Sequence, residues 1–368
     1  MSFRIIPANI ISRIQALGIG QAPDAATEGD SDAIPGTPHA GKHNDDGHYD
    51  PSPIDVVVVR IMLAKATKLP VDVIDGIFEL AEYWVHTMTA ADYTGHELTV
   101  SSRSIQDKFL VRSLPIGFTS EHGGDLDLKG EPAPAKPLHN QIPAKKLERM
   151  ADYPLPKLQG PVRKIVFKFT SHDQGWSGET GGLYENSWTW FEAGLERLES
   201  SATGEPQDPP PTALRREALR PVYPIITEVV PEEEDEDDAH DKQDEQEEAQ
   251  KEDKKDNPEA KETNLDEPQF EYKFPLLHSP KWTVCRNKRA HRDWQEHSIT
   301  WACHDDVKPD SDGGKSLEEN GRGRETGDGE FVRSLQLGDV VTLWAKSRFP
   351  SWTNSVQAAS IDVYWAAT

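Results

Sequence analysis

Four segments of this chain place their largest apolar residues at every second position. They are Trp188 and Trp190; Ile299, Trp301 and Cys303; Val340, Thr342 and Trp344; and Ile361, Val363 and Trp365. A period of two puts successive members on one side of an extended strand, whereas a helix would scatter them. "VRKIVFKFT" repeats the pattern, with Ile165, Phe167 and Phe169 on one side and Lys164 and Lys168 on the other. "VYPIITEVV", "QFEYKF" and "KWTVCRNK" read as further strands. Turn residues separate these pieces and no βαβ alternation links them, so the spacing predicts a mainly β chain built as an antiparallel β-sandwich of the jelly-roll kind. Nine of the ten tryptophans lie after residue 160. Since each such ring can bury about 150–250 Å², Trp188, Trp190, Trp301, Trp344 and Trp365 are expected in the core. Trp176 in "QGWSGE" and Trp352 in "FPSWTN" sit among Gly, Ser and Pro and are expected at the surface.

The rest of the chain cannot all join that core. Only 35% of residues are hydrophobic, against 28 prolines and 26 glycines. From Glu232 to Glu262 there is no Val, Ile, Leu, Phe, Tyr or Trp, and 17 acidic residues face 5 basic ones, a net of −12 out of −24 for the whole chain. Such a stretch cannot offset its ordering entropy by burial. The expected organisation is a disordered tail over 1–53, a small helical attachment element with short strands over 54–118, a Pro-rich linker over 119–160, and the sandwich over 161–368. Residues 231–268 are a disordered acidic insertion within it. A short amphipathic helix is expected over Asn9–Leu17. A second is expected from Leu69-Pro70, with Val73, Ile74, Ile77 and Phe78 at helical spacing.

No apolar run reaches the roughly 20 residues that span a bilayer. No signal-peptide pattern opens the chain, and there are two cysteines, so a cytoplasmic or nuclear protein with reduced thiols is expected. The acidic balance argues against nucleic acid as a partner.

"RKIVFKFTSHDQGWS", "SWTWFEAGLE", "RNKRAHRDWQEHSITW", "GRGRETGDGEFVRSLQLGDVVTLWAKSRFPSW" and "IDVYWA" resemble the conserved blocks of an uncharacterised fungal protein family, over about half of the chain. That resemblance implies no activity. The strand order is similar to the galactose-binding-like sandwich. "LPVDVIDGIFELAEYW", Leu69–Trp84, resembles the start of an F-box. It implies a Skp-type scaffold as partner through Leu69, Pro70, Ile74, Ile77 and Phe78, although "VHTMTAADYTGHELTV" does not supply the helices an F-box carries next.

No motif names a reaction. Cys285, His291, His297 and Cys303 recur every six residues, but this matches no common zinc spacing, so neither metal nor cofactor is expected. Asp173, Glu179 and Glu185 near Trp176 are acids that glycoside chemistry would use. "GWSGE" lacks the last Gly of a nucleophile elbow. "GRGRETGDGEF" is neither a P-loop nor a dinucleotide fingerprint and reads as a flexible hairpin loop. Arg286, Lys288, Arg289, His291 and Arg292 form the densest basic patch, which the acidic insertion is long enough to reach in a salt-sensitive self-contact. The expectation is a non-enzymatic interaction or adaptor protein. The alternative is a lectin-like domain in which Trp176 and Trp352 stack on a sugar while Asp173 and Arg348 hydrogen-bond its hydroxyls.

Overall fold

The alternation of "VRKIVFKFT" becomes the centre of a sheet. In the computed structural model, which describes residues 42–43, 49–101, 107–120, 126–151, 154–178, 181–200, 214–229 and 268–367, β6 (Val162–His172) lies between β12 (Gln295–Ala302) and β14 (Thr353–Trp365). β14 also pairs with β3 (Val85–Asp92) and, further along, with β4 (Leu98–Ser101), while β1 (Lys42–His43) and β2 (Tyr49–Asp50) pair only with each other. A second sheet runs β11 (Thr283–Arg286), β7 (Thr189–Leu198), β13 (Val340–Ser347), β5 (Lys108–Arg112), with β8 (Leu219–Tyr223) also on β7. Every pairing is antiparallel. The two five-stranded sheets pack face to face as a β-sandwich.

Its core is the set of positions the period of two selects. Ile165, Phe167, Phe169, Trp301, Ile361, Val363 and Trp365 from one sheet meet Phe191, Ala193, Leu195, Val341, Leu343 and Ala345 from the other. Phe167 and Phe331 both pack edge-on against Trp301. Trp190 and Trp344 are fully buried but on the opposite side of their sheet, and Trp188 is half-buried beside Phe349. The expectation that these three fill the sandwich core is therefore corrected. Alternation predicted which residues share a face, but both faces of this sheet are covered.

The expected boundary at 161 also moves. β3, β4 and β5 (Lys108–Arg112) belong to the sheets, so the sandwich recruits strands that lie well before residue 161. The Pro-rich stretch is a packed arm rather than a free linker. Phe118, Leu126, Ala133, Ile142 and Leu147 bury against Leu198, Leu219, Leu337 and Val340 on the outer side of the second sheet. Arg112 fastens it there. Its Nε donates to Glu196 (2.9 Å), its Nη1 to the carbonyls of Leu126 (2.7 Å) and Asp127, and its Nη2 to that of Glu131 (2.6 Å).

One end of the sandwich is closed by two helices. α1 (Pro53–Thr67) starts with a capping box: Ser52 Oγ accepts from Asp55 N while the Asp55 carboxylate accepts from Ser52 N. α2 (Val71–Leu80) follows, and its Ile74 and Phe78 enter the main core. Arg60 lies over the Phe78 ring and binds Asp75 (2.6 Å) and the Ala367 carbonyl (2.7 Å). Glu79 takes Arg163 (2.5 Å) and Lys157 (2.9 Å). Burial pushes its carboxyl up, but those two cations outweigh it and hold it at about 2. After Leu80 the chain turns directly into β3. Ile74 and Phe78 belong to the chain's own core.

"VYPIITEVV" is two strands, β8 and β9 (Ile226–Glu228), broken at Pro224. β9 pairs with β10 (Phe270–Tyr272), and Val229 N donates to Gln269 O (2.8 Å), so a ribbon closes the base of the acidic insertion. Glu232–Glu262 and Asn9–Leu17 lie outside the described residues. The Gly-rich stretch after β12 is not a plain hairpin loop. It holds α4 (Asp312–Glu319), capped by Ser311 Oγ accepting from Gly314 N, and α5 (Glu330–Ser334); a short helix α3 (Ala144–Met150) lies in the arm.

Candidate functional site

Three connections meet at the end opposite the helices. β6 runs into β7 through 173–188, β11 into β12 through 287–294, and β13 into β14 through 348–352. A buried amide joins them. Asn287 accepts from Ser171 Oγ (2.7 Å) and donates to Thr189 Oγ1 (3.1 Å) and Asn354 Oδ1 (2.9 Å), so strands of both sheets meet at one side chain. Asn354 in turn donates to the carbonyls of Trp190 and Lys346, each at 3.2 Å. These groups satisfy one another and close the core beneath the loops.

Asp173 welds two of the loops. It is fully buried and accepts from the backbone amides of Gly175 (2.7 Å), Ala290 (2.5 Å) and His291 (2.9 Å). Burial raises its carboxyl above the usual range, against the pull of these amides. Gly175 has φ +80°, and a Cβ there would lie 1.9 Å from Arg292 Cγ, so only glycine lets the Arg292 stem cross the loop beside Trp176. Gln174 adds the third loop: its Nε2 donates to Trp176 O (2.7 Å) and its Oε1 accepts from Thr353 N (3.3 Å). Arg348 N donates to Trp188 O (3.0 Å), and the Trp188 and Phe349 rings meet edge-on at 4.6 Å.

On this frame stand the exposed aromatics. Trp176 is 56% exposed, Phe349 42% and Trp294 38%, and among the described residues no other tryptophan or phenylalanine is exposed. Trp294 stands edge-on to His172 at 4.4 Å, and Trp188 and Trp352 are half-buried. Exposed Leu183 lies in the same loops. Exposed Leu276 and Leu277 adjoin through Pro275, whose carbonyl accepts from Arg348 Nε (3.0 Å). Among the described residues seven non-glycine residues have positive φ, and four are here: Asn186, Ala290, Phe349 and Ser351. The left-handed region costs a side-chain-bearing residue about 1–2 kcal/mol, and such backbone tends to cluster where a surface is shaped for use.

Of the residues picked from sequence, Trp176 and Trp352 are on adjoining loops. Asp173 and Arg348 lie beneath them but are not free for a ligand. Arg348 binds Asp107 (2.6 Å) and covers the Trp190 ring at 5.2 Å. The basic patch is dispersed. Arg286 is buried and donates to Glu318 O (2.6 Å), and desolvation lowers its pKa. Lys288 binds Gln295 (2.9 Å), Arg289 binds the carbonyls of Glu185 (3.1 Å) and Gly181 (3.0 Å), and His291 is half-buried on Asp173. Arg292 alone of the five is exposed. These cations brace loops rather than present a surface to an acidic segment. Cys285 Sγ lies 3.8 Å from His297 Nδ1. Burial pushes the thiol up to about 12 and the imidazole down to about 4, so both are neutral at pH 7. Among the described residues no three His, Cys, Asp or Glu side chains gather as a metal set, and no helix is long and apolar enough to cross a membrane.

A buried charged layer under this end has no sequence signal. Lys346, fully buried, binds Asp107 (2.9 Å) and Glu192 (2.8 Å) on the outer side of the second sheet. Glu192 also accepts from Trp190 Nε1 (2.9 Å), Tyr223 Oη (2.6 Å) and Ser279 N (3.1 Å). Burial pushes its carboxyl up, but Lys346 and these donors bring it below the usual range. Trp294 and Phe349 were also missed as surface rings; a flanking Asp293 and Pro350 were the available hints. Comparisons with protein-family models, with curated proteins and with solved structures found no match.

Proposed function

We propose that this protein is a non-enzymatic β-sandwich interaction module that binds a protein partner through the loop end carrying Trp176, Trp294 and Phe349. One observation carries the reading: the exposed aromatic rings converge on a single end, over a frame of buried hydrogen bonds that fixes the loops. Exposed aromatics flanked by leucines on a rigid frame suit burial against a partner's apolar side chains. Preformed loops lower the ordering cost of binding.

The adjoining loops of Trp176 and Trp352 favour a glycan as the second reading. It is the weaker one because the charged groups meant to hold sugar hydroxyls, Asp173 and Arg348, are committed inside the molecule. Docking of a ubiquitin-ligase scaffold through Leu69–Trp84 draws less support than the loop end, because Ile74 and Phe78 are buried in the main core.

The test is a selection of peptides from a displayed random library against the full chain, with a glycan array in parallel. Peptides that bind the wild type and are lost from Trp176→Ala/Phe349→Ala support the reading. A silent peptide selection with array signals lost from Trp176→Ala would replace it with the glycan reading. Ligands indifferent to both substitutions would overturn both.

A further inference from the structure

The free edges of the two sheets are treated unequally. β11 is covered: Arg286 N donates to Gly321 O (2.8 Å) and Gly323 N to Thr283 O (2.9 Å). β5 is covered by the arm, with Arg112 N on Leu128 O (3.0 Å). β12 carries the charge of Glu296, and Arg322 Nη2 reaches its Thr300 carbonyl (3.3 Å). β3 has no covering segment among the described residues, and its one acidic residue, Asp92, lies at its last position. Its eight residues pair with β14 without a register shift, and among the described residues no backbone group of residues 87–92 bonds elsewhere. Alternate residues of an antiparallel edge strand point their N–H and C=O away from the sheet. Proteins guard such rows with lysine, proline, bulges or a covering segment. "VHTMTAAD" has no Lys, Arg or Pro, and its midpoint shows Met88 at 59% exposure.

The row is also complementary to itself. On the outer face of the sheet β3 presents His86, Met88, Ala90 and Asp92 in order, the partners of Tyr364, Asp362, Ser360 and Ala358. Laid antiparallel against a copy with Thr89 on the twofold axis, each Met88 faces an Ala90 and each His86 faces an Asp92. Large meets small at Met88 and Ala90, and Thr89 meets Thr89, a favourable β-branched pair, while His86 stays within its own sheet, bound to Asp362 (2.7 Å) and stacked on Tyr364. A twofold contact requires this self-complementarity of one surface.

We propose that β3 is a self-association edge. Two copies pair antiparallel through residues 85–92 about Thr89, joining their five-stranded sheets into one continuous sheet. The contact is small and the chain carries a net charge of −24. The dimer is therefore weak, with a dissociation constant on the order of 10–100 μM, and tightens as salt screens the repulsion between copies.

The test is sedimentation equilibrium of the full chain at near-physiological salt. Met88→Lys/Ala90→Lys sets Lys against Lys across the axis and is expected to weaken association at least about tenfold, one factor of ten being about 1.4 kcal/mol. Met88→Lys/Ala90→Glu sets Lys against Glu and is expected to keep the dimer. Both positions are exposed, and matching melting temperatures show that the fold is intact. A wild type that stays monomeric to roughly 500 μM, far above the expected constant, overturns the proposal. So does equal behaviour of the two double variants, which would place any association elsewhere.

Discussion

The two ends of the sandwich solve opposite problems. At the helical end, α2 lowers Ile74 and Phe78 into the core and is held by Arg60 and by the Glu79–Arg163–Lys157 cluster. At the loop end, no helix among the described residues plugs the core. A polar knot of Ser171, Thr189, Asn287 and Asn354 seals it, and the aromatic rings are left outside. Apolar material spent inward stabilises; the same material held outward on fixed loops is free for recognition. The comparison separates stability from binding, and substitutions at each end should move one quantity and not the other.

The largest effect belongs to the helical end. Phe78→Ala empties a fully packed aromatic site and should cost about 3–5 kcal/mol, read from denaturant midpoints. Binding through the loop end should be unchanged in the folded protein. Loss of less than about 1 kcal/mol would mean α2 is an appendage rather than a cap.

Asp173→Ala should have an intermediate effect that touches both quantities. It strips three backbone amides of a buried acceptor, at about 2–3 kcal/mol, and frees two loops from each other. Hydrogen exchange should quicken at Gly175, Ala290 and His291, and ligand affinity should fall with it. Unaltered exchange at Ala290 and His291 would show that Asp173 does not weld the loops.

His297 gives a pH signature. It stacks on Phe169 at 4.8 Å, and burial holds its pKa at about 4, below its ordinary 6.5. Between these values the unfolded chain binds a proton that the folded chain refuses. Its contribution is therefore complete above pH 6.5 and lost as pH falls toward 4. His297→Phe keeps the ring and removes the titration, so the melting temperature should fall less across that window than in the wild type. Parallel curves would contradict the burial of the imidazole.

These residues also show what was readable in advance. Period two located most strands and identified Ile165, Phe167, Phe169, Trp301, Ile361, Val363 and Trp365 as one core, because a strand buried on one side leaves that trace. It misplaced Trp190 and Trp344 because a sheet buried on both sides no longer distinguishes core from cover. β4 and β5 were legible as short strands but not as members of the sandwich, and β3 was not legible as a strand; joining β3 to β14 is a contact between residues more than 260 apart in sequence. Trp176 and Trp352 could be called exposed from their Gly, Ser and Pro neighbours. That Asp173 and Arg348 would turn inward could not, since nothing local reveals that Asp107 and the amides of Ala290 and His291 wait there. The basic cluster failed for the same reason: its charges were visible, but their bonds to distant carbonyls were not.

The smallest stability effect should accompany the largest functional one. Trp176→Ala and Phe349→Ala remove exposed rings and should each change stability by no more than about 0.5 kcal/mol. The most direct measurement is the dissociation constant of a selected peptide, by titration calorimetry, for three proteins: wild type, Trp176→Ala/Phe349→Ala, and Val73→Ala/Leu80→Ala on the exposed side of α2. The account expects the loop-end pair to weaken binding at least about thirtyfold, the loss of about 2 kcal/mol that marks interface anchors, with the helix-end pair equal to wild type. Weakened binding in the helix-end pair with full affinity in the loop-end pair would contradict it and move the interaction surface to the other end of the molecule.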